Sequence, residues 1–447
     1  MVRFGRRRTG DIPGFRFSRL QPYVISKLPQ PDQSFGLLLI GNDITDADLN
    51  ELASLSQLQA LCLESTSVTD ASLKELVGLP QLQNLYLENT AVTDFGMKDL
   101  AGMTQLQTLN LDDLAITDEG LKELVGLSQL QTLDLAATHV TDAGLKQLVY
   151  MTNLRRLDLR NTAITDTGLK ELAGLKRLKF LIILSTQVTD AGMKELAKFK
   201  QLQYLSIAAT HVTDAGLQEL SGMKQLQVLD LRSTAVTDVG LKESANLTQL
   251  HTLDLTDDNV TDVGLQDLSG LTELQKLFLS NTHVKNLGLK TFSGMTQLQL
   301  LILYDTPVTD VGLNQLEGMK QLQTLDLTDT QVTDTGLKEL SGLTQLQYLD
   351  LGNTPITDFG LKALANLAQL QELDLSNTRV TDAGLKELSG FTQLQKLNLN
   401  STQVTDAGLK ELWGFTQLRF LSIGGTKVTF AGTDELQKKL PNLQISF

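Results

Sequence analysis

Leu82-Gln-Asn-Leu85-Tyr-Leu87-Glu-Asn-Thr90-Ala-Val92-Thr93-Asp94-Phe-Gly96-Met97-Lys-Asp-Leu100-Ala-Gly102-Met103-Thr-Gln105 is followed by Leu106, where the same pattern begins again. The period is 24 residues, and units start at 58, 82, 106 and so on to 418, sixteen in all. A degenerate unit starts at Ser34, with Leu37, Leu39, Ile44, Thr45, Asp46, Leu49, Leu52 and Leu55 at the expected places. The pattern slips once, near Lys438-Lys439. A fixed period of this length is the mark of a stacked-repeat architecture.

Each unit reads as a strand followed by a short helix. Leu-x-x-Leu-x-Leu ends in period-two alternation, which places its leucines on one face of a strand. Thr-Asp-x-Gly-Leu-x-x-Leu then switches to helical spacing. Either Asp or the preceding Thr can cap that helix by accepting a backbone N–H. A second glycine, as at Gly126 or Gly270, is expected to hold a left-handed helix end. The residue after the strand is usually Thr (Thr66, Thr90, Thr138, Thr162), and its hydroxyl is expected to satisfy loop backbone in the neighbouring unit at about 1 kcal/mol each. Leu114 and Asp258 break this row.

One strand and one helix cannot bury their leucines alone, whereas stacked copies can. The expected fold is therefore an α/β solenoid, a curved horseshoe with a parallel β-sheet on its concave face and short helices on its convex face. Seventeen units at about 4.8 Å per strand give an arc of roughly 80 Å. The expected organisation is a basic N-terminal tail and cap over 1–33, then a solenoid over 34–447. Part of Phe15 to Leu28 is expected to cover the first unit, and Leu440 to Phe447 to close the stack as a last strand.

With these motifs the chain resembles the leucine-rich repeat proteins over residues 34–447. Its Val/Ile-Thr-Asp-x-Gly-Leu turn is similar to the cysteine-containing subclass found in F-box substrate receptors, and its near-identical units resemble long bacterial leucine-rich repeat proteins. Thr and Leu/Met/Phe stand where the cysteine-containing pattern has its two cysteines, and residues 1–33 are short and basic beside an F-box domain. The resemblance implies a non-catalytic scaffold that binds a polypeptide on its concave face. The alternative it implies is a substrate-recognition subunit or effector of a ubiquitin-ligase-type pathway.

Composition narrows the function further. The net charge of −14 opposes general nucleic-acid binding. Residues 1–33 carry seven Lys/Arg against two Asp, a net +5, which leaves −19 on the rest. This split raises the idea that the tail, Arg3 to Arg19, folds back on the acidic face. No stretch reaches the roughly 18 apolar residues of a membrane span, and no apolar signal core follows Arg8. A soluble, cytoplasmic protein is the expectation, monomeric and without membrane contact, which disfavours a cell-surface adhesin. Cys62 is the single cysteine and has no evident His or Asp partner for nucleophilic work. His139, His211 and His283 recur three units apart, about 14 Å from one another, too far to share a metal ion. No phosphate loop occurs. No enzyme, cofactor or metal site is expected.

Candidate binding residues are found where the outward row of the strands changes character. The residue between the last two leucines is typically acidic through the middle of the chain, with Asp134, Asp158, Asp230, Asp254, Asp326, Asp350 and Asp374. Neighbouring carboxylates in that row raise the alternative of a shared divalent cation, against a plain solvated face. Two adjacent pairs of units interrupt the row. Around the first, Phe180, Ile182, Leu184 and Tyr204 are expected to face outward beside Arg155, Arg156, Arg160 and Lys179. Around the second, Phe278, Leu300, Ile302 and Tyr304 do so beside Lys276. Clustered outward apolar groups with aromatics and Arg are the usual make-up of a partner surface. Charged substitutions at Ile182 and Phe278 are expected to abolish partner binding with the fold intact.

Overall fold

A computed structural model describes residues 13–17, 33–41 and 43–447. The chain packs as two compact units, Met1–Val212 and Thr213–Phe447.

In the first unit the strand Gly14–Phe17 pairs in parallel with Phe35–Leu39, and further parallel strands follow in chain order to Tyr204–Ser206. From Ala60 onward each residue pairs with the one 24 positions later, as Leu61 with Leu85 and Leu85 with Leu109. The pairing of Phe35–Leu39 with Leu58–Cys62 is irregular: Phe35 faces Leu58 but Gly36 faces Ala60, the structural counterpart of the degenerate opening repeat. Phe15 meets Phe35 edge to face at 5.9 Å, and the Gly36 N–H donates to the Pro13 carbonyl at 2.8 Å. The tail residues Arg3, Arg6, Arg7, Arg8, Arg19 and Lys27 lie outside the described residues.

In the second unit the parallel strands run from Val228–Asp230 to Gln444–Ser446. The slip near Lys438 does not move the final strand. Gln444 still pairs with Phe420, 24 residues earlier, because the extra residue is absorbed by the longer helix Phe430–Lys439. In both units the leucines of the pattern are fully buried between sheet and helices.

The Thr-Asp-x-Gly turn works as one device joining consecutive repeats. Thr is the helix cap: Thr165 Oγ1 accepts the Thr167 N–H at 3.1 Å. Asp does not cap its own helix but reaches into the next repeat. Asp142 accepts the Thr165 N–H at 2.8 Å and its hydroxyl at 2.6 Å. The glycine leaves room for this carboxylate, since a Cβ on Gly168 would lie 2.3 Å from Asp142 Oδ1. The same joint recurs from Asp46–Thr69 to Asp166–Thr189 in the first unit and from Asp214–Thr237 to Asp406–Thr429 in the second. It weakens at Lys285-Asn286, where Asp262 accepts only an amide N–H, from Lys285, and the helix becomes the 3-10 segment Gly288–Gly294.

Two expectations are corrected here. Gly126 and Gly270 are not left-handed; among the described glycines only Gly41 and Gly425 have positive φ. The left-handed residue instead follows the strand, at Ser65, Asn89, Asp113, Ala137 and their equivalents. There the N–H must turn toward the next repeat, as Asp113 N–H does to the Ala136 carbonyl at 2.8 Å. Asn, Asp and Ser tolerate that conformation through local hydrogen bonding. The Thr hydroxyl row also differs. Thr66 and Thr138 each donate to a carbonyl of their own unit, Leu63 and Leu135, at 2.7 Å. Leu114 replaces this hydroxyl with a buried apolar group. Asp258 does reach its neighbour, with Oδ1 accepting the N–H (2.8 Å) and hydroxyl (3.0 Å) of Thr234. Its residue is 2% exposed and Oδ2 is buried without a partner.

Candidate interaction surface

Alternation along each strand puts one side chain before and one after the central leucine on the solvent side of the sheet. The Asp that follows has a local duty. Asp326, Asp350 and Asp374 accept the N–H two residues on, from Thr328 (2.9 Å), Gly352 (2.9 Å) and Ser376 (2.7 Å), and so shape the turn that leaves the strand. Asn110 and Asn398 do the same. Among the described residues no group of three carboxylate, His or Cys side chains is placed to hold a metal ion.

In the first unit two of the four candidate cations, Arg156 and Arg160, are engaged in the protein's own ion pairs. Arg156 bridges Asp134 at 3.2 Å and Asp158 at 3.1 Å. Arg160 pairs with Asp112, two repeats earlier, at 3.2 Å and with Asp158 at 3.7 Å. Burial, followed by the charge of Asp134, pushes the Asp112 carboxyl up to about 7. Arg155 is exposed at the strand start, and Lys179 and Leu184 are half-buried. Phe180, 37% exposed, lies 6.2 Å ring to ring from Tyr204. Ile182 is only 8% exposed and pairs in register with Asp158 and Ser206, both buried. A carboxylate introduced there would be buried beside Asp158, so Phe180 is the better position for a charged probe of this face.

In the second unit the apolar group is intact. Phe278 pairs with Ile302, and Lys276 with Leu300. Phe278, Leu300 and Ile302 are half-buried, while Tyr304 is 42% exposed and Lys276 is exposed. On one side Arg232 pairs with Asp230 at 2.8 Å and Asp254 at 3.3 Å. On the other side, Asp326, Asp350 and Asp374 take part in no Lys or Arg ion pair among the described residues. At the end of this row is a shallow hollow of about 180 Å³ lined by Tyr348, Asp374, Asn398, Phe420 and the Glu372–Lys396 ion pair (2.8 Å), among others. Sequence reading missed this hollow. The run of large side chains at Tyr348, Glu372, Lys396 and Phe420, one per repeat, was its available signal. It also missed an exposed apolar row, Val239, Val263, Leu287 and Val311, at one helix position of four consecutive repeats.

The remaining chemistry-bearing residues are structural or scattered. His139, His211 and His283 are exposed. Cys62 packs with Leu38 and Ala60 on the first strands, and burial pushes its thiol up to about 12. In the native protein at pH 8 Cys62 is therefore expected to resist iodoacetamide and to be alkylated only in denaturant. Mass spectrometry of the two reactions checks this, and native labelling at a comparable rate would contradict it. No helix of the described residues is long and apolar enough to cross a membrane.

The comparisons with known proteins agree with this architecture. A family model described as a leucine-rich repeat region matches residues 206–382, and shorter leucine-rich repeat models match 368–411 and 150–173. No curated protein sequence matches the chain. Among solved structures, an internalin from Listeria monocytogenes is 25% identical with a TM-score of 0.56, covering 67% of this chain and 82% of its own. The crystal structure of a TDR receptor is 16% identical with a TM-score of 0.52, covering 96% and 78%. A leucine-rich repeat protein of Leptospira interrogans is 22% identical with a TM-score of 0.49, covering 89% and 92%.

Proposed function

We propose that this leucine-rich repeat protein is a non-catalytic scaffold that binds a polypeptide on the solvent face of its sheets. The fold is generally one of protein–protein interaction. The observation that carries the reading is the interruption of the Asp row at Phe278 and Ile302, which pair in register on adjacent strands, with Leu300 on the second strand and Tyr304 just after it. Fully exposing an apolar side chain of this size forgoes about 1.5–3 kcal/mol; these half-buried groups forgo part of that each, and aromatic clusters are where interface energy concentrates. Phe180 and Tyr204 offer a second, smaller contact in the first unit. The other candidate residues, Arg155, Arg156, Arg160, Lys179, Ile182, Leu184 and Lys276, frame these contacts.

Affinity capture from native lysate tests the reading, with wild type and a Phe180→Asp/Phe278→Asp variant as baits, each checked by circular dichroism. A protein retained by wild type and lost from the variant is the expected outcome. Identical capture by both baits would rule out the sheet face. The likeness of the Val-Thr-Asp-x-Gly-Leu turn to F-box receptors supports the alternative of a ubiquitin-pathway subunit, and a ligase adaptor in the captured set would favour it.

A further inference from the structure

On the reading that the sheet face of the second unit binds polypeptide, we propose that its occupant is a cationic segment with an apolar anchor, the anchor on Phe278, Leu300, Ile302 and Tyr304 and the Lys/Arg side chains over Asp326, Asp350 and Asp374. Ile302 pairs in register with Asp326, Asp326 with Asp350, and Asp350 with Asp374, so the carboxylates continue directly from the apolar group, one per strand. Their hydrogen bonds come from neutral donors: backbone N–H groups, Tyr348 Oη to Asp350 at 3.1 Å, and Asn398 Nδ2 to Asp374 at 2.5 Å. Neutral donors orient these carboxylates but leave their charge. Burial, and then the neighbouring Asp374 and Asp326, hold the Asp350 carboxyl above its ordinary value, so like charges are crowded there. The first unit handles the same problem internally, with Arg156 and Arg160 inserted among Asp112, Asp134 and Asp158. The second unit has no such cation over Asp326, Asp350 and Asp374 among its described residues, and charge-assisted bonds to half-buried carboxylates are strong.

The spacing specifies the segment. From the strand of Ile302 to that of Asp374 is three strand steps, about 14 Å. An extended segment lying across the strands presents same-face side chains about 6.7 Å apart. It therefore places an apolar residue at one position and basic residues two and four positions away, in either chain direction. The second basic side chain reaches Asp374 at the edge of the hollow, where Glu372 is already paired with Lys396 at 2.8 Å.

The test is selection of random displayed peptides, about twelve residues and about 40 Å long when extended, on the full chain. The wild type is compared with Phe278→Asp and with the combined Asp326→Asn, Asp350→Asn and Asp374→Asn variant. Asn occupies this row natively at Asn110 and Asn398 and keeps the turn-forming acceptor. The expected pool is net positive with the apolar-x-basic-x-basic spacing, and a synthetic member should bind about tenfold or more weakly to either variant. Its affinity for wild type should also fall several-fold as salt rises from about 50 to 500 mM, a readout that needs no variant. Peptides lost from Phe278→Asp yet neutral, and indifferent to the Asn variant and to salt, would overturn the cationic segment and leave the sheet face standing. Peptides that bind both variants and wild type equally, or no enrichment over an unrelated protein, would overturn both. A change in solution mass with Phe278→Asp, without peptide enrichment, would make the occupant a second copy and defeat the proposal.

Discussion

Gly168→Ala is expected to destabilise the first unit by about 2–3 kcal/mol, and the same change in an Asp142→Ala background to be neutral or stabilising by about 0.5 kcal/mol. Gly168 lies in the helix Asp166–Glu171, where Ala is ordinarily preferred over Gly by about 0.5–1 kcal/mol. Its position cannot use that preference. A new Cβ would lie 2.3 Å from Asp142 Oδ1 and 3.1 Å from Asp142 Cγ, with Leu145 Cδ1 at 3.0 Å. The carboxylate has to swing away and release the N–H and hydroxyl of Thr165. Hydrogen bonds to a charged acceptor are worth about 1.5–3 kcal/mol net when buried, and partial exposure here places the loss toward the lower end. Once Asp142 is Ala, the carboxylate clash is gone and the Thr165 bonds are already absent, so the helix preference is set only against the 3.0 Å contact with Leu145 Cδ1, the end of a flexible side chain. Guanidinium unfolding of the four proteins, with amide exchange read at Thr165, gives the cycle. Equal costs in both backgrounds would show that the glycine is there for another reason.

Asp258→Thr is expected to stabilise the second unit by about 1–3 kcal/mol at pH 8, with the gain vanishing near pH 4. Burial pushes the Asp258 carboxyl up to about 8, against the two bonds from Thr234 that act to lower it. An unfolded Asp titrates near about 3.9. Between these values the native state holds a proton that the unfolded state has released. Wild-type stability therefore falls as pH rises from about 4 to about 8 and is level above. Thr removes the titrating group and the buried, unpartnered Oδ2, and restores the donor that Thr282 and Thr306 supply at this place. Other carboxylates, Asp112 among them, also titrate on unfolding, so the difference between the two stability–pH curves is what isolates Asp258. A difference that does not change between pH 4 and 8 would contradict the assignment.

The repeat, its strands and its core are legible in the sequence because leucine at fixed spacing has one physical use, and every copy agrees. The partners of Thr and Asp are not legible in the same way. Both residues can cap a helix, and only stacking shows that Thr165 caps while Asp142 serves the following repeat. Glycine at Gly126 suggested a left-handed end by residue type, yet that conformation falls on Ala137 and its equivalents, where the hydrogen bond to the next repeat dictates it. On the sheet face, alternation places Phe278 and Ile302 outward, as the sequence indicates. It cannot report that Ile182 is covered or that Arg156 and Arg160 are already paired, because those facts depend on side chains from strands 24 and 48 residues away.

The Asp–Thr joint gives the stack a direction along the chain. Each carboxylate is encoded in one block of sequence, but the groups it satisfies belong to the block after it. A lesion at Asp142 thus leaves its own helix capped by Thr141 and exposes the amide of Thr165 downstream. Damage is displaced one period from its genetic origin, and inspecting the altered block by itself would report it as sound. The same polarity makes blocks interchangeable: a copied or excised 24-residue segment ends with a carboxylate facing a threonine wherever the cut is made, so the chain can change length without redesigning a seam. At Phe430 the carboxylate is missing, and the ring stacks on Phe447 at 5.1 Å instead. A block ending in this way has no carboxylate to hold the threonine of a following block.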